Sequence, residues 1–362
     1  MTVTTQTLRD RLPRVSMIPL LRLIDEVGIV EHSNGPVPDP TQGHCTDDAG
    51  RALGLAAMLP KDLASPEIAE RCLAQLQRSM VSPGRFVLRL DEHGEPTSDP
   101  DSDDATARAL WGLSLAATSE LPTLVQDWSS ELLRMFRDFQ SPFPRAAAHA
   151  VIAGSRLVQS QHAENVGEDL LLSNIQYMPR GALSRSWVWP EVNLSYGNGL
   201  LAESLLHAGR VLGNSQLLSE GLDQLTWLIN RETSNGGHFS FTPVGSNGIH
   251  DGSLFDQQPL EAWTTASACS AAFLVEPDQL WIDAIFRAAD WFAGRNDGDV
   301  PMWDHENGAA FDGLTAFGVN DNEGAESTLA FIGTLIELDR IRAIADSSPI
   351  RLHWPRERTN NG

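Results

Sequence analysis

The residues with the most chemistry to offer are acids that come in pairs. His44-Cys45-Thr46-Asp47-Asp48-Ala49-Gly50-Arg51-Ala52-Leu53 is echoed as Asp101-Ser102-Asp103-Asp104-Ala105-Thr106-Ala107-Arg108-Ala109-Leu110. In each word a hydroxyl residue precedes two acids, and a run of small apolar residues follows, which is how a helix start looks. One acid at such a start caps free N–H groups and complements the helix dipole, worth about 0.5–2 kcal/mol. With Thr46 and Ser102 read as the caps, the pairs hold more acid than capping requires. Neighbouring carboxylates repel, raising one pKa and lowering the other, so that one group can act as acid while the other acts as base.

Four further helix starts are expected at comparable intervals. Pro144 to Val158 opens without an acid. Asn193 to Leu212 follows Glu191, Asp256 to Phe273 includes Glu261, and Asn322 to Leu338 carries Glu323 and Glu326. Trp187 and Trp189 precede Glu191 and Tyr196 follows it. Tryptophan beside carboxylates suits a sugar, because the ring covers an apolar face while the acids take hydroxyls. The expected catalytic acids are therefore Asp103, Asp104 and Glu191. The expected substrate-binding set is Asp47, Asp48, Trp187, Trp189, Tyr196, Asn198, His250, Asp256, Gln257, Glu323 and Glu326. His44, His238 and His250 lack metal-ligand spacing with any other His or Cys, so no metal is expected. No nucleophile elbow, phosphate loop or dinucleotide fingerprint is present, and no cofactor is expected.

All six starts lead into segments poor in charge and apolar nearly all round, the pattern of a helix buried on every side. Between them lie segments with one polar face: Glu67–Met80, Leu121–Phe139, Glu164–Ile175, Gln216–Arg231 and Gln279–Arg295. Trp281, Ile285, Ala288, Ala289 and Phe292 in the last are spaced by three and four, an amphipathic stripe. Alternation of this kind predicts an inner ring of six helices inside an outer ring, an all-α (α/α)6 toroid. Met17–Val27 and the Leu335–Ile344 end would complete the outer ring. In such a toroid the inner helices run the same way, so their acid-bearing starts meet at one mouth. The alternating run His238-Phe239-Ser240-Phe241-Thr242 between glycines predicts a small hairpin there. The long connections Val81–Asp101 and Arg295–Asp321 are of the kind that build sites. The repeat takes in residues 1–350 as one barrel domain, and residues 351–362 read as a polar, disordered tail.

Composition limits the partners. The chain has 362 residues, 41% of them hydrophobic and 20% charged, with a formal net charge of −22. That excess of acid argues against nucleic acid, whose binding is driven by neutralising phosphates. No run has the length of a membrane span, and the N-terminus lacks the order of a signal peptide. Three scattered cysteines, Cys45, Cys72 and Cys269, suggest free buried thiols in a reducing cytoplasm. The expected partner is a small molecule or oligosaccharide.

Several multi-residue words resemble one family. Thr46-Asp47-Asp48 with Arg51-Ala52-Leu53, Phe255-Asp256-Gln257-Gln258-Pro259-Leu260-Glu261-Ala262 and Asn322-Glu323-Gly324-Ala325-Glu326-Ser327-Thr328 look like bacterial six-hairpin, glycosidase-like proteins, often encoded beside or fused to glycosyltransferases. Phe239-Ser240 and the Pro243-Val244-Gly245 turn fit as well, so the resemblance spans roughly residues 20–340. It implies the (α/α)6 fold and carbohydrate chemistry, and carries no catalytic assignment. The chain departs from the pattern at three places. Tyr196-Gly197-Asn198-Gly199-Leu200 stands where Tyr-Asp-Asn-Ala-Arg is expected, Asp103-Asp104 where Glu-Asp is expected, and Ile249-His250 near an expected Trp.

The leading expectation is an inverting glycoside hydrolase, which needs an acid and a base about 6.5–9.5 Å apart with a water between them. Two alternatives stand beside it. Asp101-Ser102-Asp103-Asp104 is similar to the protonating motif of class II terpene cyclases, in which Asp103 would protonate an alkene. The loss of an acid at Gly197 suits a sugar-binding barrel without chemistry. A mouth lined by acids with a few aromatics means sugar, whereas a closed cavity of aromatic and aliphatic residues means polyene.

Overall fold

A computed structural model describes residues 12–62, 64–97, 102–246, 252 and 254–347. Six helices form the inner ring: α1 (Thr46–Met58), α3 (Asp103–Ala117), α5 (Pro144–Gln159), α7 (Asn198–Leu212), α9 (Pro259–Val275) and α11 (Ala325–Ser347). Each packs on the next, and α11 returns to α1. Outside them α2 (Ser65–Ser79), α4 (Thr123–Met135), α6 (Glu164–Ile175), α8 (Ser215–Arg231) and α10 (Gln279–Phe292) each pack on the inner helix that precedes them. The chain therefore adopts the (α/α)6 toroid that its alternating segments predict.

The division between rings follows from side-chain size. Ala, Gly, Ser and Leu dominate the inner helices, which are buried along almost their whole length. Small residues let backbones approach closely: a Cβ on Gly112 would overlap the carbonyl of Gly50 where α3 crosses α1. The outer helices keep one face in water, as the alternation of buried and exposed positions along α2 and α8 shows.

Four expectations need correction. Leu335–Ile344 continues the inner helix α11 instead of joining the outer ring; no proline or glycine interrupts it. The Met17–Val27 segment is a 3-10 helix over Ile18–Leu23 that packs against α11, its Pro19 lying in the first turn. The run His238–Thr242 makes a single antiparallel bridge, Phe239 to Thr233. Two-residue and three-residue ribbons form elsewhere, including Gly313–Thr315 with Gly318–Asn320 ahead of α11. Finally, Thr46 does not cap α1. Cys45 holds the N-cap position, and the Thr46 hydroxyl donates to the Val87 carbonyl at 2.8 Å. Ser102 does cap α3, accepting from the Ala105 N–H at 3.1 Å.

That shift changes the register of the echo. With α1 starting at Thr46 and α3 at Asp103, Asp47 is the counterpart of Asp104, and Arg51 of Arg108. Both α1 and α3 thus carry an acid at the second position and an arginine four residues later, on the same face one turn down. The cysteines are free and buried, and Trp281 and Trp291 are core residues, as expected. No described helix is long and apolar enough to cross a membrane. The expected tail, 351–362, lies outside the described residues, as do Asp101 and His250.

Candidate active site

The helix starts line three clefts that share walls. A central cleft of about 280 Å3 is bounded by Asp47, Asp104, Arg108, Tyr196, Val244, Gln258, Leu260 and Glu326. On one side Asp47 and Glu326 continue into a cleft of about 260 Å3 with Glu31, His32, Asp48, Arg51 and Asp312. On the other, Asp104 and Tyr196 continue into one of about 490 Å3 with Leu88, Asp103, Phe143, Pro144 and Arg145. Asp47, Asp104 and Glu326 come from α1, α3 and α11, three consecutive members of the ring. The acids of the mouth are therefore gathered on one arc.

Each of these acids meets a partner. Arg108 pairs with Asp47 and lies 3.8 Å from Asp104. Arg51 reaches Asp48 at 2.8 Å and Glu326 at 2.7 Å. Tyr196 donates its hydroxyl to Asp104, and its ring lies between two guanidiniums, Arg108 at 5.7 Å and Arg145 at 5.5 Å. Oδ1 of Asp47 is buried with no hydrogen-bond partner among the described residues.

Burial drives the electrostatics. It pushes Asp48 up to about 8, against the pull of Arg51 and with the push of Glu326, Glu31 and Asp47. Burial thus favours the protonated form of Asp48 near neutral pH. Burial and the Asp104 carboxylate raise the Tyr196 phenol to about 12, which keeps it a hydrogen-bond donor.

Beneath the mouth lies a smaller chamber of about 40 Å3, lined among others by Arg51, Arg108, Trp111, Arg145, His149, Tyr196, Glu203 and Trp263. It has room for a few waters. Burial, with Arg108 and Arg51 nearby, holds His149 well below the ordinary imidazole range and so neutral. Trp111 is half-buried here, edge-on to Trp263 at 5.8 Å.

The structure divides the expected site residues into two groups. Asp47, Asp48, Asp104, Tyr196 and Glu326 stand together in the clefts. Asp103 also borders the outer cleft, but Arg85 and the Ser141 hydroxyl, at 2.7 Å, take both of its oxygens. The rest lie elsewhere. Glu191 pairs with Arg145 and accepts from the Trp189 indole at 3.3 Å, lining none of the clefts.

Trp189 is fully buried and stacks on Trp227 at 6.0 Å, so it is a core residue and not a wall. Trp187 packs on the same tryptophan, with Arg231 over its ring at 4.9 Å, turned toward α8. Asn198 is buried and hydrogen-bonds Glu261 and Ser195. Gln257 is buried between Trp291 and Asp297, and Glu323 between Arg22 and Asn307. Asp256 is exposed and lines none of these clefts.

Sequence reasoning missed the cations. Arg51 and Arg108 sat inside the echoed word, four residues after the acid in each copy, which is the spacing of facing side chains on a helix. Glu261, counted among the helix-start acids but given no role, has a carboxylate that accepts from the N–H groups of Gly197 and Asn198 and so caps α7 from the neighbouring helix α9. Burial raises Glu261 to about 7. Among the described residues no group of three His, Cys, Asp or Glu side chains is arranged to hold a metal ion.

No family model matches the chain, and no curated protein matches it either. Solved structures do. The cellobiose 2-epimerase of Bacillus thermoamylovorans aligns with a TM-score of 0.69 at 13% identity, over 93% of this chain and 98% of that one. A D-mannose isomerase aligns with a TM-score of 0.66 at 16% identity, over 90% and 95%. The GH76 α-mannanase of Bacteroides thetaiotaomicron aligns with a TM-score of 0.55 at 10% identity, over 83% and 86%. These similarities establish the six-hairpin toroid, and each of these proteins processes a carbohydrate.

Proposed function

We propose that this protein is a glycoside-processing enzyme that binds a sugar across the mouth and cleaves a glycosidic bond with inversion. One observation carries the reading: Asp47, Asp104 and Glu326, from three consecutive helix starts, line a single open cleft with Tyr196. Carboxylates beside one aromatic ring match the polar edge and apolar face of a pyranose. Carboxylates in excess of guanidiniums also favour the positive charge of an oxocarbenium-like transition state.

Within that cleft Asp104 and Glu326 are the acid/base pair we assign, on helices that flank α1 from either side. Of the other acids expected to serve, Asp103 has both oxygens taken by Arg85 and Ser141, and Glu191 lines none of the clefts. Tyr196 orients Asp104, and Asp47 and Asp48 hold hydroxyls. The open, acidic mouth speaks against a polyene, since a cyclase needs a large apolar chamber closed from water, and the chamber below the mouth measures about 40 Å3.

A second reading follows from the cations. Arg51 and Arg108 under the cleft, with a phenol held by a carboxylate, would also suit the anionic enediolate of sugar epimerisation or isomerisation. Incubation of the protein with cello- and manno-oligosaccharides, followed by NMR of the products, separates the two. Hydrolysis gives new reducing ends of inverted configuration. Epimerisation or isomerisation leaves the chain length unchanged and alters only the reducing-end residue. Binding without any product supports a sugar-binding barrel instead.

A further inference from the structure

We propose that the outer cleft beside α5 is an additional sugar subsite, with Phe143 as its platform. The inference rests on the sugar-binding reading of the mouth and extends it to an oligosaccharide. Phe143 is 61% exposed and lines the cleft of about 490 Å3 that opens from the central one through Asp104 and Tyr196. Lone exposed apolar side chains are common and mean little. Three features set this one apart.

The first is rigidity. Phe143 lies between Pro142 and Pro144, and its backbone is extended, with φ −84° and ψ 122°, as a residue before proline must be. Its N–H donates to the Ser141 hydroxyl at 3.2 Å, and the Ser141 N–H donates to buried Asn174 at 3.1 Å. An aromatic ring on such a base loses little freedom when a ligand lands on it.

The second is position. Phe143 occupies the N-cap of α5, where a short polar side chain would be favoured, and makes no capping hydrogen bond. Of the described inner helices, α5 and α7 have neither an acid in the first turn nor a polar cap of their own, and α7 is capped instead by Glu261 of α9. An exposed ring in place of a cap sacrifices local stability at this point.

The third is the chemistry of the walls. Leu88, Phe143 and Pro144 give the cleft apolar lining, and Ser102, Asp103, Asp104, Arg145, Ser195 and Tyr196 give it polar lining. An apolar face set against hydroxyl partners is what a sugar ring requires. By contrast, Phe317, the fully exposed phenylalanine at the tip of the Gly313–Asn320 ribbon, lines none of the clefts.

Calorimetric titration tests this with cello- and manno-oligosaccharides from the monosaccharide to the pentasaccharide, against the wild type, Phe143→Ala and Phe143→Trp. Affinity should rise with length in the wild type. Phe143→Ala should lose about tenfold for the longer ligands, about 1.4 kcal/mol, and leave the monosaccharide unchanged, while Phe143→Trp retains the gain. If Phe143→Ala keeps the full length dependence, or the wild type shows none, the subsite is wrong while the mouth reading stands. If no ligand of any length binds, the mouth reading falls and the subsite with it.

Discussion

The hydroxyl of Tyr196, on the approach to α7, donates to the carboxylate of Asp104 in the first turn of α3. The two residues are 92 positions apart in sequence and meet where the starts of α3 and α7 flank that of α5. The bond fixes the direction of the one acid that borders both the central and the outer cleft. Tyr196→Phe should therefore reduce turnover of the true substrate by about 10²-fold, the usual effect of losing one well-placed donor. Thermal unfolding should change little, because the ring remains between Arg108 and Arg145. An unchanged rate would show that Asp104 needs no orientation.

Glu191 has a different place. It neutralises Arg145, whose side chain is almost wholly buried, while Glu191 itself is partly exposed. Glu191→Gln should destabilise the fold by about 1–2 kcal/mol, between the values for exposed and buried pairs. A denaturant titration reads this directly as a lower midpoint with an unchanged slope. Stability equal to the wild type would deny the pair its structural role.

Close helix contact at the ring is tested at Gly112. Any side chain there meets the Gly50 carbonyl, backbone that cannot step aside. Gly112→Ala should cost about 1–3 kcal/mol through overpacking, although alanine is the better helix former. A stabilised variant would mean that α1 and α3 are farther apart than described.

The toroid was legible in the sequence because burial on every side leaves a helix with almost no charge, and six such segments recur. Some bounds followed closely: Glu164–Ile175 is unchanged as α6. The outer ring was less legible at its ends, since nothing local shows that Leu335–Ile344 belongs to an inner helix that simply runs on. For the site, Asp47, Asp104, Tyr196 and Glu326 could be read from helix starts. What Glu191, Trp189, Asn198, Gln257 and Glu323 touch could not, because their partners come from distant segments such as Arg145, Trp227, Glu261, Asp297 and Arg22. A buried partner 40 residues away leaves no mark on spacing.

Stability should depend on pH through buried acids away from the clefts. Burial raises Glu232 to about 8, with Glu261 adding to the push, and one Glu232 oxygen has no hydrogen-bond partner among the described residues. A carboxyl whose folded pKa lies above its unfolded value binds more protons folded, so its contribution is present at low pH and is lost as pH rises. Between about pH 5 and pH 8 the melting temperature should therefore fall, and Glu232→Gln should flatten that fall by about 1–3 °C. A wild-type melting temperature that rises across the window would contradict the assignment.

The central claim is that Asp104 and Glu326 perform acid/base chemistry on a sugar in the mouth. Product formation from cello- and manno-oligosaccharides, followed by NMR for the wild type, Asp104→Asn and Glu326→Gln, tests it most directly. The account predicts products of inverted configuration from the wild type. It also predicts a loss of at least about 10²-fold in each variant, with melting temperatures preserved. Wild-type rates in both variants, or retained configuration in the product, would contradict it.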